Sequence, residues 1–257
     1  MTLFKLKKNN EIIIVLCLAG LGQRFIDRGY ETPKYLLLGR DKKITILEII
    51  LKNFVLSGNK EFVLMLNRRH LKWKKNIIEI GDKLKITLLF DFIEDTQGQA
   101  ETAYKATELI KNTNNVKKIY ETPIAFHNGD TILINRDLGL IKQRIFKAYD
   151  GLIDTFESNS KNYSYVSVNS KSIVKQIVEK KVISNKATTG FYVFSNLNNY
   201  QSLFNKINKD KKELYISDVY NEAIKQDQKI FNLHFNNPFD TIVLGTPFEY
   251  EEWISNE

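Results

Sequence analysis

The sequence predicts an α/β domain whose mainly parallel sheet is flanked by helices. In the first half of the chain, short apolar runs alternate with stretches of helical periodicity, a pattern typical of βαβ units. In the second half, several short strands follow one another before helices return. The 257 residues show no repeat, linker or low-complexity tract. We therefore expect one continuous domain over residues 1–257, made of two halves at residues 1–135 and 136–257.

The first half carries strands and helices in regular alternation. Strands are predicted at residues 12–18, 62–66, 84–92 and 123–127, and helices at residues 44–56, 72–80 and 99–110. Thr45 and Glu48 match a capping box at the start of the first of these helices, and Gly58 marks its expected end. Strands that alternate with helices favour a parallel sheet.

The second half predicts a mixed arrangement. Strands are expected at residues 151–156, 163–168, 173–178 and 191–194, with no helix between them. Helices are expected at residues 197–207 and 215–225, followed by an extended segment at 230–235 and a closing helix at 247–253. We expect this half to cover a site on the first half.

Composition excludes several classes of protein. The longest apolar run, residues 12–19, is too short for a membrane span of about 20 residues, and no signal-peptide cleavage site follows it. The single cysteine, Cys17, excludes an internal disulfide and a cysteine zinc cluster. The formal net charge is +8, but no nucleic-acid-binding motif accompanies it. We expect a cytoplasmic protein without a membrane or nucleic-acid partner; the positive charge fits a solvated surface or one that faces a small polyanion.

A glycine-containing loop follows the first predicted strand directly. Residues 18–25 read Leu-Ala-Gly-Leu-Gly-Gln-Arg-Phe. Glycines let backbone N–H groups approach phosphate oxygens without a Cβ in the way. A dinucleotide fingerprint would need glycine where Phe25 stands, and the Gly-Lys-Ser/Thr of a Walker loop is absent. Because Arg24 and the Lys34 that follows Pro33 add two cations, we predict a phosphate-binding loop.

A polar turn follows the fourth predicted strand. Asn128, Gly129 and Asp130 come at the carboxyl end of that strand, where open α/β sheets bind their ligands. A carboxylate in this place can hold Mg²⁺ against phosphate oxygens, although the same three residues also favour a turn for structural reasons alone. Among the three histidines, only His127 stands beside this turn. We predict that Asp130 binds a metal ion.

These residues resemble the sugar-phosphate nucleotidylyltransferases, or nucleoside diphosphate-sugar pyrophosphorylases. The opening motif of that family, Leu-Ala-Gly-x-Gly-x-Arg-Phe with a later Pro-Lys, is present at residues 18–25 and 33–34. Further matches occur in the family's order at residues 98–102, 128–130, 179–180, 189–192, 213–215 and 244–247. The resemblance implies a Rossmann-like fold of the nucleotide-diphospho-sugar transferase type, with a nucleotide-binding half at residues 1–135 and an acceptor-binding half at residues 136–257.

The resemblance also implies an activity and a site. A nucleoside triphosphate and a sugar or polyol phosphate would give an activated nucleotide and pyrophosphate, with Mg²⁺ as cofactor and no protein nucleophile. By similarity, Arg24 and Lys34 would be the catalytic residues that neutralise charge on the triphosphate. The nucleotide would be bound by Leu18, Ala19, Gly20, Gly22, Gly98, Gln99 and Asn128. The acceptor would be bound by Glu179, Lys180, Thr189, Gly190 and Glu213.

One position departs from the family pattern. Many relatives have a second metal-binding aspartate where this chain has Val243. Asp240 is the nearest carboxylate, but in an extended segment Asp240 and Val243 point to opposite faces, so a bulge would be needed to re-aim it. Asp130 and Asp240 are therefore the candidate metal ligands, and whether Asp240 replaces the missing carboxylate stays open at this point.

The sequence leaves alternatives open for the nucleobase that is bound and for the class of reaction. The Gly-Tyr-x-x-Pro-Lys sequence at residues 29–34 and the modest length resemble bacterial capsule-type and cytidylyl-transferring members, which favours CTP. A metal-dependent GT-A-type glycosyltransferase is one alternative, but its usual aspartate is replaced by Asn128. A non-catalytic nucleotide-binding homologue is another, because Val243 replaces a metal ligand. The sequence does not decide the oligomeric state, and a homo-oligomer is compatible with it.

Overall fold

A central sheet flanked by helices forms the described part of the chain. The computed structural model describes residues 12–113 and 120–255. The predicted halves extend to residues 1 and 257, so their outermost residues, 1–11 and 256–257, lie outside this part, as do residues 114–119. No helix among the described residues is both long and apolar enough to cross a membrane.

The first half follows the predicted alternation. It contains β1 (Ile13–Leu18), α1 (Gln23–Asp27), α2 (Ile46–Leu56), β2 (Glu61–Asn67), α3 (Lys74–Leu84), β3 (Thr87–Ile93), α4 (Gln99–Thr113) and β4 (Ile124–His127). The predicted capping box is confirmed, because the Glu48 N–H donates to Thr45 Oγ1 and the Thr45 N–H donates to Glu48 Oε2. Helix α3 begins later than predicted, since Asn67 caps a 3-10 turn at Arg68–Trp73 that precedes it.

The rest of the described chain, from the end of the first half onwards, has three elements that the sequence analysis does not assign. It contains β5 (Thr131–Leu133), α5 (Leu138–Ala148), β6 (Gly151–Glu157), β7 (Tyr165–Val168), β8 (Val174–Val178), β9 (Lys186–Phe194), α6 (Leu197–Phe204), α7 (Ile216–Lys225), β10 (Ile230–Phe235), β11 (Thr241–Val243) and α8 (Pro247–Ser255). The unassigned elements are β5, α5 and β11. Leu138, Ile141 and Ile145 occupy one buried face of α5, and Asp137 caps its start. That spacing is the signal that predicts this helix.

The sheet is mainly parallel, and both halves contribute to it. Its strands lie in the order β10-β6-β9-β4-β1-β2-β3; β7 also pairs with β9, and β8 pairs with β7. β1 pairs in parallel with β2 and β4, β2 with β3, and β6 with β10. β9 lies antiparallel between β4 and β6, so it joins strands of the two halves. The predicted mainly parallel sheet is confirmed.

Buried side chains cover both faces of the sheet. Along β1, Val15 and Cys17 belong to the layer that packs against α4, α6 and α7, whereas Leu16 belongs to the layer under α2, α3, α5 and α8. Cys17 is a buried free thiol, in keeping with a packing role. Because β1 and β4 are parallel neighbours, the loops that follow them meet at one edge of the sheet.

A buried ion pair connects the two-stranded antiparallel sheet of β5 and β11 to the main sheet. The Arg136 guanidinium donates to the two carboxylate oxygens of Asp154 on β6, at 3.0 and 2.9 Å, and both side chains are almost fully buried. Arg136 also donates to Thr241 Oγ1 at 2.8 Å and to the carbonyl oxygens of Ile134 and Asp240 at 2.7 and 2.6 Å. The guanidinium therefore holds the two-stranded sheet against β6.

Candidate active site

The loop after β1 is open towards a wide cleft. Asn67 Nδ2 donates to the carbonyl oxygen of Ala19 at 2.9 Å, which fixes the start of the loop, and Leu18 is buried beneath it. Gly22 begins α1 with a φ of +66°, a left-handed conformation that glycine adopts without strain. A Cβ on Gly20 would meet no atom within 4 Å. The backbone of this loop can therefore be approached closely.

The cleft has a volume of about 860 Å³ and gathers most of the predicted site residues. Its wall includes Ala19, Gly20, Gly22, Arg24, Lys34, Gly98, Gln99, Asn128, Asp130, Lys180 and Glu213. A smaller pocket beside Asp130 includes Thr189, and another includes Glu179. Because Asn128 lines all three spaces, the two small pockets adjoin the cleft.

Two of the cations that line this cleft, Arg24 and Lys34, are the predicted catalytic residues. Arg24 on α1 is exposed and forms no ion pair with any residue in the described ranges. Lys34 follows Pro33 and begins a short 3-10 turn, Lys34–Leu36. Lys34 Nζ donates to Asp130 Oδ2 at 2.6 Å, and both side chains are largely buried. Arg24 is therefore available to an anionic ligand, whereas Lys34 neutralises Asp130.

Asp130 carries a negative charge in this environment. Burial would raise the pKa of its carboxyl, but the charge of Lys34 and its hydrogen bond outweigh burial, so the pKa is lowered. The neighbouring His127 is fully buried, and burial lowers the pKa of its imidazole to about 4. At pH 7 the turn therefore presents an ionised carboxylate beside a neutral imidazole.

The loop predicted to bind the nucleobase contacts the Asp130 turn. Gly98 has a φ of +138°, and a Cβ there would lie 2.6 Å from the carbonyl oxygen of Leu214, so only glycine fits. Gln99 Nε2 donates to Asn128 Oδ1. The loop before α4 and the turn after β4 therefore form one connected wall of the cleft.

The residues predicted to bind the acceptor form a second connected surface. Ser164 Oγ donates to Glu179 Oε2, and burial raises the pKa of Glu179 although Ser164 and Lys180 oppose that effect. Lys180 Nζ donates to the Tyr215 hydroxyl at 3.2 Å, and that hydroxyl donates to Glu213 Oε2. The structure thus brings together the predicted Glu179, Lys180 and Glu213.

Thr189 and Gly190 lie on β9, next to the Asp130 turn. Thr189 Oγ1 donates to the carbonyl oxygen of Asp154 at 3.3 Å. Gly190 has a φ of +83°, and a Cβ there would lie 2.4 Å from Asn128 Nδ2. The Asn128 N–H donates to the Gly190 carbonyl oxygen at 3.2 Å. Strand β9 therefore packs directly on the turn that carries Asp130.

The structure does not bring Asp240 to Asp130. In the regular β5–β11 ladder, Val243 pairs with Thr131, which directly follows Asp130. Asp240 precedes Val243 by three residues, about 10 Å of extended chain. Its Oδ1 accepts a hydrogen bond from Asn135 Nδ2 at 2.9 Å. No bulge interrupts this ladder, so nothing re-aims Asp240 towards Asp130. The expectation that Asp240 is a metal ligand is therefore corrected: Asp240 lies outside the site.

Glu249 is a carboxylate of the site that the sequence analysis does not name. Its Oε2 accepts from the Thr246 N–H at 2.8 Å and from Thr246 Oγ1 at 2.9 Å, and its Oε1 accepts from the Tyr163 hydroxyl at 2.8 Å. A Cβ on Gly245 would lie 3.5 Å from Asp130 Oδ2 and 3.6 Å from Glu249 Oε2. Glycine therefore leaves open the space between the two carboxylates.

Other residues of the cleft wall also escape the sequence analysis: Asp95, Thr96, Gln97 and Lys212. Gln97 Nε2 donates to the carbonyl oxygen of Lys209 at 2.9 Å, which ties this side of the cleft to the loop before α7.

The only sequence signal for Glu249 is the Thr-x-x-Glu capping pattern at residues 246–249, which predicts the start of a helix and not a functional site.

The family model for nucleotidyl transferases matches residues 13–246, a range that contains every loop of the cleft described above. The chain belongs to the nucleotidyl transferase family. The resemblance inferred from its motifs is thereby confirmed. The search of curated proteins found no match.

Solved structures of similar fold support this assignment. A nucleoside-diphosphate-sugar pyrophosphorylase from Vibrio cholerae RC9 has a TM-score of 0.82 and 25% sequence identity, and the match covers 95% of this chain and 100% of that one. A protein from Bacillus anthracis, described as a glucose-1-phosphate thymidylyltransferase and bound to sucrose, has a TM-score of 0.77 and 13% identity over 95% and 94% of the two chains. A UDP-glucose pyrophosphorylase in complex with UDP-glucose has a TM-score of 0.73 and 17% identity over 95% and 97%. The Rossmann-like fold expected for this nucleotidyl transferase is confirmed.

Gly98→Ala is expected to weaken nucleotide binding by the nucleotidyl transferase about tenfold. The added methyl group would push the base-side loop away from the Leu214 backbone. Gly58→Ala is the matched control, because Gly58 also has a positive φ, +99°, but a Cβ there meets no atom within 4 Å. Nucleotide affinity is measured by isothermal titration calorimetry. Equal affinities in the two variants would contradict a role for the Gly98 contact in shaping the nucleotide site.

Proposed function

We propose that this nucleotidyl transferase moves a nucleoside monophosphate from a nucleoside triphosphate to a sugar or polyol phosphate. The observation that carries the proposal is the meeting of three surfaces at one cleft and the small pockets that adjoin it. The glycine loop with Arg24 and Lys34 fits a triphosphate, Asp130 offers a charge for a metal ion, and the surface around Glu179 offers acceptors for hydroxyl groups.

The chain's own contribution to this reaction is positioning and charge. An oxygen of the acceptor phosphate attacks the α-phosphorus, the bond between the α- and β-phosphates breaks, and pyrophosphate leaves. Arg24 can hold phosphate oxygens with its planar fork, and Lys34 adds a point charge beside them. No side-chain nucleophile is required, because both reacting groups are supplied by the substrates.

The residues present fit Mg²⁺. Asp130 is ionised, and Glu249 faces it across the space that Gly245 leaves open. In residues 12–113 and 120–255, no three His, Cys, Asp or Glu side chains form a metal site, so water and phosphate oxygens would complete the coordination, as Mg²⁺ commonly accepts. Bound there, Mg²⁺ would neutralise charge on the phosphate oxygens. We propose Asp130 and Glu249, in place of Asp240, as the residues that hold it.

Asp130→Asn and Glu249→Gln are each expected to weaken Mn²⁺ binding at least about tenfold in the presence of a non-hydrolysable nucleotide, as measured by electron paramagnetic resonance. Glutamine can preserve the capping box with Thr246, so Glu249→Gln removes the charge and keeps the start of α8 capped. Asp240→Asn is the matched control and is expected to bind Mn²⁺ like the wild type. Wild-type affinity in Glu249→Gln would restrict Glu249 to capping α8.

For the nucleotide we propose CTP, and for the product a precursor of a capsule or surface glycan. The support is the resemblance of residues 29–34 and of the chain length to cytidylyl-transferring members. Two of the structurally similar proteins are instead a thymidylyltransferase and a UDP-glucose pyrophosphorylase by description. The base must therefore be tested directly.

The deciding experiment measures pyrophosphate release with Mg²⁺ and each of CTP, UTP, GTP and dTTP, against pooled sugar and polyol phosphates. We expect release that requires both CTP and an acceptor. Release with a different nucleotide would keep the transferase and overturn the choice of base. Glycosyl transfer from a nucleotide sugar without pyrophosphate release would favour the glycosyltransferase. Nucleotide binding without release across a broad acceptor panel would favour the non-catalytic homologue.

A further inference from the structure

We propose that His127 is a positioning residue that fixes the turn carrying Asp130. His127 Nδ1 accepts a hydrogen bond from the Gly129 N–H at 2.9 Å, which places the ring proton of the neutral imidazole on Nε2. Nε2 is buried and forms no hydrogen bond with a described residue. The hydrogen bond from the Gly129 N–H is therefore the contact that ties the imidazole to the turn.

Packing alone does not account for a histidine at this position. The ring is fully buried between Phe54 and Phe191, with centroid distances of 5.6 and 6.2 Å. A phenylalanine would fill the same apolar space without burying a polar nitrogen, and a buried polar group without a partner costs free energy. What the imidazole adds is an acceptor for Gly129, whose N–H is buried at the same place.

The turn that His127 holds packs closely against the glycine loop, the loop before α4 and strand β9. Gly129 has a φ of +72°, and a Cβ there would lie 2.1 Å from Leu18 Cδ2, beneath the glycine loop. Asn128 contacts Gln99 on the base side and Gly190 on the acceptor side. A shift of this turn would therefore move Asp130 relative to both substrates.

The expected consequence rests on the proposed function, in which Asp130 holds a metal ion. Without an acceptor at residue 127, the Gly129 N–H loses its partner and the turn relaxes. Asp130 then binds the ion less tightly, and turnover falls. Binding of the nucleotide by the glycine loop is retained, because that loop is fixed separately by Asn67.

Two substitutions separate the hydrogen bond from packing. His127→Phe keeps an aromatic ring but cannot accept a hydrogen bond. His127→Asn places an acceptor near the position of Nδ1 but leaves a cavity between Phe54 and Phe191. We expect His127→Phe to keep its melting temperature within a few degrees of the wild type and to raise the Mn²⁺ dissociation constant at least about tenfold. We expect His127→Asn to melt at a lower temperature and to keep Mn²⁺ affinity within about threefold.

A purely structural role predicts the opposite order, with metal affinity following stability. Wild-type Mn²⁺ affinity in His127→Phe, or equal loss of affinity in both variants, overturns the proposal. Asp130→Asn is the reference: if it binds Mn²⁺ like the wild type, the proposed metal site is wrong. The positioning role is then decided by the amide nuclear magnetic resonance signals of Gly129 and Asp130. These must shift in His127→Phe and stay near their wild-type values in His127→Asn, and any other pattern overturns the proposal.

Discussion

Arg24→Ala is expected to lower the turnover number by about 10²–10³-fold, while the free energy of unfolding stays within about 0.5 kcal/mol of the wild type. Arg24 is exposed on α1 and faces the cleft, so its charge is available to the transition state and contributes little to folding. The measurement is steady-state pyrophosphate release together with urea unfolding. Arg68→Ala is the control, because Arg68 is an exposed arginine paired with Glu94 outside the cleft.

Lys34→Ala is expected to lower turnover to a similar extent and also to affect stability. Its ammonium neutralises the largely buried Asp130, so its removal leaves that carboxylate without its cation and costs about 1–3 kcal/mol. The double variant Lys34→Ala/Asp130→Asn should recover most of that stability but none of the activity. Turnover near the wild-type value in folded Arg24→Ala and Lys34→Ala would remove both residues from the catalytic assignment.

Arg136→Met is expected to lower the free energy of unfolding by about 3–5 kcal/mol, the largest stability effect expected for this chain. It would leave the carboxylate of Asp154 buried without a partner. Burial already raises the pKa of Asp154 in spite of the opposing charge of Arg136, which shows how strongly this carboxylate is desolvated.

Two controls test whether the lost stability comes from the unpaired charge of Asp154. Arg136→Met/Asp154→Leu should recover much of the lost stability, since two apolar groups leave no unpaired charge. Arg68→Ala, which breaks an exposed pair with Glu94, should cost less than about 1 kcal/mol. A cost in Arg136→Met no larger than in Arg68→Ala would show that the buried pair does not hold the two-stranded sheet of β5 and β11 in place.

The fold could be predicted from the sequence wherever local periodicity reports burial. Helix α2 follows its capping box, and β1 follows its unbroken apolar run. Helix α5 is not among the predicted elements although Leu138, Ile141 and Ile145 have the spacing of a buried helix face. The antiparallel insertion of β9 depends on long-range pairing, which periodicity does not encode.

The residues of the site also divide into those that a local motif predicts and those that depend on long-range pairing. Arg24 and Lys34 belong to one contiguous motif with a physical rationale, and the structure places them with Asp130 on the wall of one cleft. Glu249 could not be predicted, since its approach to Asp130 depends on the pairing of β11 with β5 and on the course of the chain through Gly245. Asp240 was the nearest carboxylate in the sequence, but the register of the same ladder keeps it away from Asp130.

The position of β9 decides whether the chain can be divided. A fragment ending at residue 135 would leave β4 as an open sheet edge where β9 pairs in the whole chain. It would also strip α4 of its contacts with α6, where Tyr104 stacks on Phe204 at 4.7 Å and the Tyr200 hydroxyl donates to the Ala100 carbonyl oxygen at 2.7 Å. An open edge beside an uncovered apolar face favours aggregation. Protease cleavage near residue 135 should therefore leave two pieces that stay associated, and separate expression of either piece should yield insoluble protein.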